Sequence, residues 1–203
     1  MKTFILILAM LSLVSCETCT PPDPKQEPVH VLHSKDGKEQ VWDTNLFPLR
    51  LDIDSRFGPE AIEVLVTVVE QWESTTGRDL FRLDIISDEI AILNPAGGHV
   101  TMTPAKLSRT LEGNHLGNTS RWTVKGHTGR IHSQKVEIDE SVLKDMDLLR
   151  AVGLHELGHV LLLSHDFLDP DSLMILDVTQ SGLVILPKHI LHAQERYGHV
   201  LML

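Results

Sequence analysis

Three histidines at 155, 159 and 165 place a demand on the backbone that few chains meet. Side chains four residues apart stand one turn above each other on the same helix face, so His155 and His159 can grip a single ion. His165 can join them only if the helix stops soon after His159 and the chain bends back beneath the metal. The stretch 148–163 is rich in Leu and free of Pro, and Asp147 precedes it as a candidate N-cap, so a helix is expected there. Glu156, beside the first histidine, faces the same cavity. Three histidines leave a fourth position for water, the arrangement of catalytic zinc sites rather than of closed structural ones. The spacing carries this reading, because any one of the 12 histidines taken alone reads as ordinary surface polarity.

The chain has 203 residues, 42% hydrophobic and 23% charged, which suits one globular domain. Eighteen Lys and Arg against 28 Asp and Glu give a net charge of −10, so the cationic surface that phosphate recognition requires is missing and nucleic acid is excluded as a partner. Both cysteines, Cys16 and Cys19, lie near the N-terminus, so no disulfide staples the rest.

The first 15 residues read as an address. Lys2 supplies a positive start, and 4–14 is an apolar run suited to a signal peptide and too short to span a bilayer. Leu13-Val14-Ser15-Cys16 resembles the bacterial lipobox, which implies cleavage before Cys16 and its acylation. Pro21, Pro22, Pro24 and Pro28 follow among polar residues, so 16–44 is expected to be a lipidated Cys and extended spacer, with the catalytic domain at 45–203. The address implied is the bacterial cell envelope, membrane-attached through the N-terminal lipid. Glu17 differs from the Asp that commonly retains lipoproteins at the inner membrane, which favours the outer one.

Within the domain, Leu49, Leu51 and Ile53 alternate with Arg50, Asp52 and Asp54 as in a half-buried strand. From Pro59, apolar residues at 62, 65, 66, 69 and 72 recur at helical spacing up to Gly77. Phe81, Leu83 and Ile85 alternate again. Shorter strands are expected at 99–103, 117–124 (an edge strand) and 131–138, and a closing helix at 187–197. The order predicts an α+β fold.

His155-Glu156-Leu157-Gly158-His159, completed by His165, resembles the extended zinc motif of the metzincins, and Ser172-Leu173-Met174 resembles their Met-turn. The matrixins, the matrix metalloprotease branch, are nearest. Residues 49–85 and 190–198 resemble their first strand, helix and second strand, and their closing helix. The resemblance implies a twisted mixed sheet, an active-site helix, a Met-turn, a C-terminal helix, and one catalytic zinc on His155, His159 and His165 with Glu156 as general base. Met174 would form an apolar floor. A protein or peptide substrate would lie extended along the edge strand at Leu116, Gly117 and Asn118, with a hydrophobic side chain set against the loop 175–186.

Three departures stand out. Leu162 occupies a position usually held by Gly, so Leu162→Gly is expected to relieve strain and gain stability. Asp166 follows the third histidine, where matrixins usually have Ser and reprolysins have Asp. No cysteine-switch propeptide is evident. A second, structural zinc around His115, His127 and His132, or calcium at Glu137, Asp139 and Glu140, is the less favoured reading, and His30, His33, His99, His189, His192 and His199 read as surface residues. Two alternatives compete: a non-catalytic lipoprotein binding module that keeps the zinc site, and a thermolysin-like protease, for which Glu195 would have to be the third ligand.

Overall fold

In the computed structural model, the described residues are 40–87, 97–107, 109–110, 113–114, 116–123, 129–166, 171–175, 185 and 187–190. Cys16, the spacer up to residue 39, His115, His127 and most of the closing helix lie outside them. The elements are β1 (Val41–Trp42), β2 (Leu49–Asp54), α1 (Pro59–Thr76), β3 (Phe81–Ile86), β4 (His99–Ala105), β5 (Arg109–Thr110), β6 (Gly113–Asn114), β7 (Gly117–Thr123), β8 (Arg130–Asp139) and α2 (Met146–Val160). A mixed sheet runs β1-β8-β4-β2-β3, and β7 also pairs with β8, antiparallel where every other pairing is parallel. β5 and β6 form a small hairpin in the region that sequence patterning leaves unassigned. Among the described residues no helix is long and apolar enough to cross a membrane.

Helix α1 has Pro59 in its first turn and closes on Gly77, whose φ of 70° is the left-handed conformation that glycine adopts without penalty. Its face of Leu65, Val68, Val69 and Trp72 is buried. The helices meet at Gly153, where an added Cβ would come within 3.2 Å of Leu65. There the Trp72 indole donates to Leu154 O at 3.1 Å, and Arg150 donates to Gln71 at 2.7 Å.

Several expectations need correction. β2 is buried at every position but Arg50, and its acidic side chains, expected at the surface, have protein partners. Asp52, fully buried, is bonded by Arg50 Nε at 2.8 Å and lies 2.7 Å from His99 Nε2. Asp54 accepts from the Arg56 backbone and guanidinium. His99 and His189 are therefore core residues rather than surface ones, His189 lying 3.1 Å from Ser172 Oγ. β3 is an edge strand, so Ile85, expected on the buried face, is 49% exposed.

Helix α2 starts earlier than expected. Its cap is Asp145, which accepts from the N–H groups of Asp147 and Leu148 at 3.1 and 3.0 Å, while Asp147 sits in the first turn, where its charge suits the helix dipole. The helix ends at Val160 rather than residue 163. Residues 187–190 are helical, and the rest of the expected closing helix lies outside the described residues.

A candidate metal centre

His155 and His159 lie one turn apart on α2, and His165 reaches them from the loop that follows. The return is made at Leu162, whose φ is 69°. Leu162 N–H donates to His159 O at 3.0 Å and Leu163 N–H to Gly158 O at 2.9 Å, the paired bonds of a helix closed by a left-handed residue. A non-glycine residue in that conformation costs about 1–2 kcal/mol. Leu162 is fully buried, however, and full burial of a Leu side chain is worth about 1.5–3 kcal/mol. The strain is offset by packing.

The three rings converge. His165 Nε2 lies 3.2 Å from His155 Nε2 and 3.1 Å from His159 Nε2, and the potential ligand atoms of all three lie within 4.8 Å of one another. Nitrogens bound about 2.0–2.1 Å from a tetrahedral zinc are about 3.4 Å apart, close to what is seen. His155 Nδ1 lies 2.8 Å from Leu173 O and His159 Nδ1 2.8 Å from Leu163 O. A carbonyl oxygen can only accept, so geometry assigns the proton of both rings to Nδ1 and leaves both Nε2 lone pairs bare. One proton on His165 can bridge one of the short contacts at a time. A cation in the middle satisfies all three, and the cluster could therefore coordinate a metal ion.

Burial keeps the rings neutral. It lowers the His155 pKa to about 4, against the opposing bond from Leu173 O and with help from His165 and His189. Burial first, then His155 and other neighbours, pushes His159 well below the ordinary value, and burial also lowers His165. Neutral imidazole is the form that binds metal.

Glu156 is held from β7. Thr119 Oγ1 donates to Glu156 Oε2 at 2.6 Å, and an added Cβ on Gly117 would fall 2.3 Å from Oε1, so only glycine leaves room for this carboxyl. Burial raises its pKa to about 7, against the Thr119 bond and the Arg121 charge, which lower it. Beneath the ligands, an added Cβ on Gly158 would fall 2.5 Å from Met174 Sδ, so Met174 packs against the helix backbone between His155 and His159. Its segment is a tight turn in which Ser172 O accepts from Ile175 N–H at 3.1 Å and Ser172 Oγ from Met174 N–H at 3.2 Å. Asp166 N–H donates to Met174 O at 2.8 Å, and the Asp166 carboxylate pairs with Lys188.

Among the described residues β7 pairs only with β8, which leaves its other edge open. Asp139 N–H donates to Leu116 O, so the alternation of antiparallel pairs turns the backbone groups of Leu116 and Asn118 toward β8 and those of Gly117 and Thr119 toward the open edge. Of the loop expected to shape a pocket, Ile185 packs against the core, and residues 176–184 lie outside the described set.

Two of the three carboxylates considered for calcium have protein partners: Asp139 bonds Leu107 N–H and Ser141, and Glu137 bonds Lys135 and Asn118. Of the histidines considered for a second zinc, only His132 is described, half-buried on β8. Sequence reasoning missed Thr119, Arg121 and the carbonyls of Leu163 and Leu173. Thr119 and Arg121 share the period-two face of β7 with Gly117, a signal that points to the helix once the strand is paired. No family model matches the chain, and no curated protein matches it.

Two outcomes follow from burial at this centre. In the metal-free chain, folding between pH 4.5 and about 7 takes up a proton at Glu156, so this residue's contribution to stability falls as pH rises through that window; His155, lowered from 6.5 to about 4, acts in the opposite sense. Glu156→Gln removes only the first effect. With a chelator present, thermal unfolding should show the variant gaining on the wild type between pH 4.5 and 8 by up to about 3 kcal/mol. An unchanged difference across that range would contradict the burial of an ionisable carboxyl.

For Leu162, the buried side chain reverses the expectation from sequence. Leu162→Ala should destabilise by about 2–5 kcal/mol, and Leu162→Gly by about 1 kcal/mol less because the left-handed strain is relieved. Denaturant unfolding measures both, and a Gly variant more stable than the wild type would show that packing does not hold this turn.

Proposed function

We propose that this chain is a zinc-dependent endopeptidase of the metzincin type, matrixin-like, which hydrolyses extended polypeptides. The observation that carries the reading is the convergence of the three imidazoles on one point beside the buried carboxyl of Glu156. His155, His159 and His165 would hold the zinc, which when bound supplies a Lewis acid that acidifies water and polarises a peptide carbonyl. Glu156 has no partner among the ligands' supporting bonds and no evident structural role that would demand a buried carboxyl.

Glu156 would accept a proton from the attacking water as its oxygen bonds to the peptide carbon. It would return that proton to the amine nitrogen as the C–N bond breaks, so the carboxylate ends as it began. Thr119 holds one carboxyl oxygen and Gly117 leaves space for the other. The open edge of β7, with the backbone of Gly117 and Thr119 turned outward, suits an extended peptide added as a further strand. Met174 acts as the apolar support under the ligands. The lipobox-like Leu13–Cys16 sequence supports a lipid anchor on Cys16 and a place in the bacterial cell envelope.

The test uses the full chain in mild detergent, wild type and Glu156→Ala, with zinc content and cleavage of a quenched peptide library measured together. One zinc in both proteins and chelator-sensitive cleavage by the wild type alone is the expected result. Zinc without cleavage in the wild type would move the reading to a binding module, and no zinc would overturn it. In cells, Cys16→Ala should shift the chain from the membrane to the soluble fraction, and unchanged fractionation would refute the anchor.

A further inference from the structure

The last four carbonyls of any helix lack partners within it, and in α2 those four belong to Leu157, Gly158, His159 and Val160, the residues around and beyond the second ligand. Each is accounted for. Leu157 O accepts from Leu161 N–H and Gly158 O from Leu163 N–H. His159 O accepts from Leu162 N–H and from Arg121 Nη2 at 3.3 Å. Val160 O accepts from the Trp42 indole at 2.8 Å, buried, across 118 residues of sequence. Arg121 and Trp42 are the two donors from outside the turn.

We propose that Trp42 and Arg121 are positioning residues of the metal centre, clamping the strained turn that carries the acceptor for His159 and delivers His165. The turn bends at a left-handed Leu, a conformation that must be held by its surroundings. The same turn supplies Leu163 O to His159 Nδ1. Freeing Val160 O or His159 O therefore loosens one ligand's support and the approach of another. Trp42 is itself fixed: it is 1% exposed, and β1 lies parallel to the start of β8. Val41 N–H bonds Gly129 O at 2.8 Å, Asp43 pairs with Arg130 at 2.6 Å, and Leu46 closes on Gly98. The segment that leads from the N-terminal spacer into the domain is thus built into the ligand set.

This inference rests on the metal reading above, and its test separates the two. Trp42→Phe keeps an aromatic ring and removes the donor; Arg121→Met removes the other clamp. Trp72→Phe is the control, since it deletes the same kind of indole bond to α2 at Leu154, where the helix ladder already fixes the backbone. Zinc dissociation constants of the full-length proteins are measured by chelator competition well below each melting temperature, with the visible spectrum of the Co(II)-loaded forms. Trp42→Phe and Arg121→Met should each weaken zinc binding about tenfold and alter the Co(II) spectrum, with Trp72→Phe unchanged in both. If Trp42→Phe does not fold, Arg121→Met against Trp72→Phe decides. Wild-type affinity in the clamp variants, or an equal loss in the control, would overturn the positioning role and leave the metal site standing; no zinc on the wild type would remove the metal reading itself.

Discussion

Two hydrogen bonds govern this centre: His155 Nδ1 to Leu173 O and His159 Nδ1 to Leu163 O, both 2.8 Å. They place the protons of His155 and His159 on the far side of each ring and leave both Nε2 lone pairs facing inward toward His165. His165 Nε2 lies 3.2 and 3.1 Å from these two nitrogens, and a proton on it can satisfy only one of them at a time, whereas a cation between the rings satisfies all three. The surrounding structure serves to hold the two carbonyls in place. Leu163 follows the left-handed Leu162, and Leu173 lies in a turn closed by Ser172 and tied to the His165 loop through Asp166.

The sheet contributes in a second way, by bringing β7 against α2. Gly117 and Thr119 sit on one face of that strand, so a missing side chain and a hydroxyl meet the two oxygens of Glu156. The same register turns their backbone groups to the open edge. A single strand therefore holds the carboxyl and, among the described residues, keeps one edge unpaired beside it. The carboxyl's raised pKa follows from the same packing, since burial outweighs both the Thr119 bond and the Arg121 charge.

Much of this is legible in the amino-acid sequence, because it depends on short-range periodicity. The spacing of His155, His159 and His165 implied a helix and a return turn, and Pro59 and Gly77 bounded α1 correctly. What sequence patterning misjudged depends on neighbours far away in the chain. Asp52 and His99 look like surface residues until β2 and β4 lie side by side and each meets the other. His189 looks exposed until it meets Ser172. Leu162 looks like a costly departure from Gly until its side chain is found in the core. Asp147 reads as the cap from sequence, but the carboxylate that accepts the first helical N–H groups is that of Asp145, two positions earlier, which only hydrogen-bond geometry reveals. The indole of Trp42 on Val160 O spans most of the domain, and no local pattern announces it.

The claim on which the account rests is that His155, His159 and His165 together coordinate one ion. X-ray absorption at the zinc edge on the full-length, zinc-loaded chain tests it directly. The account predicts a four-coordinate site with three imidazole nitrogens at about 2.0–2.1 Å and one non-protein oxygen. A shell with a protein carboxylate or sulfur, fewer than three imidazoles, or six oxygen-rich neighbours would contradict it.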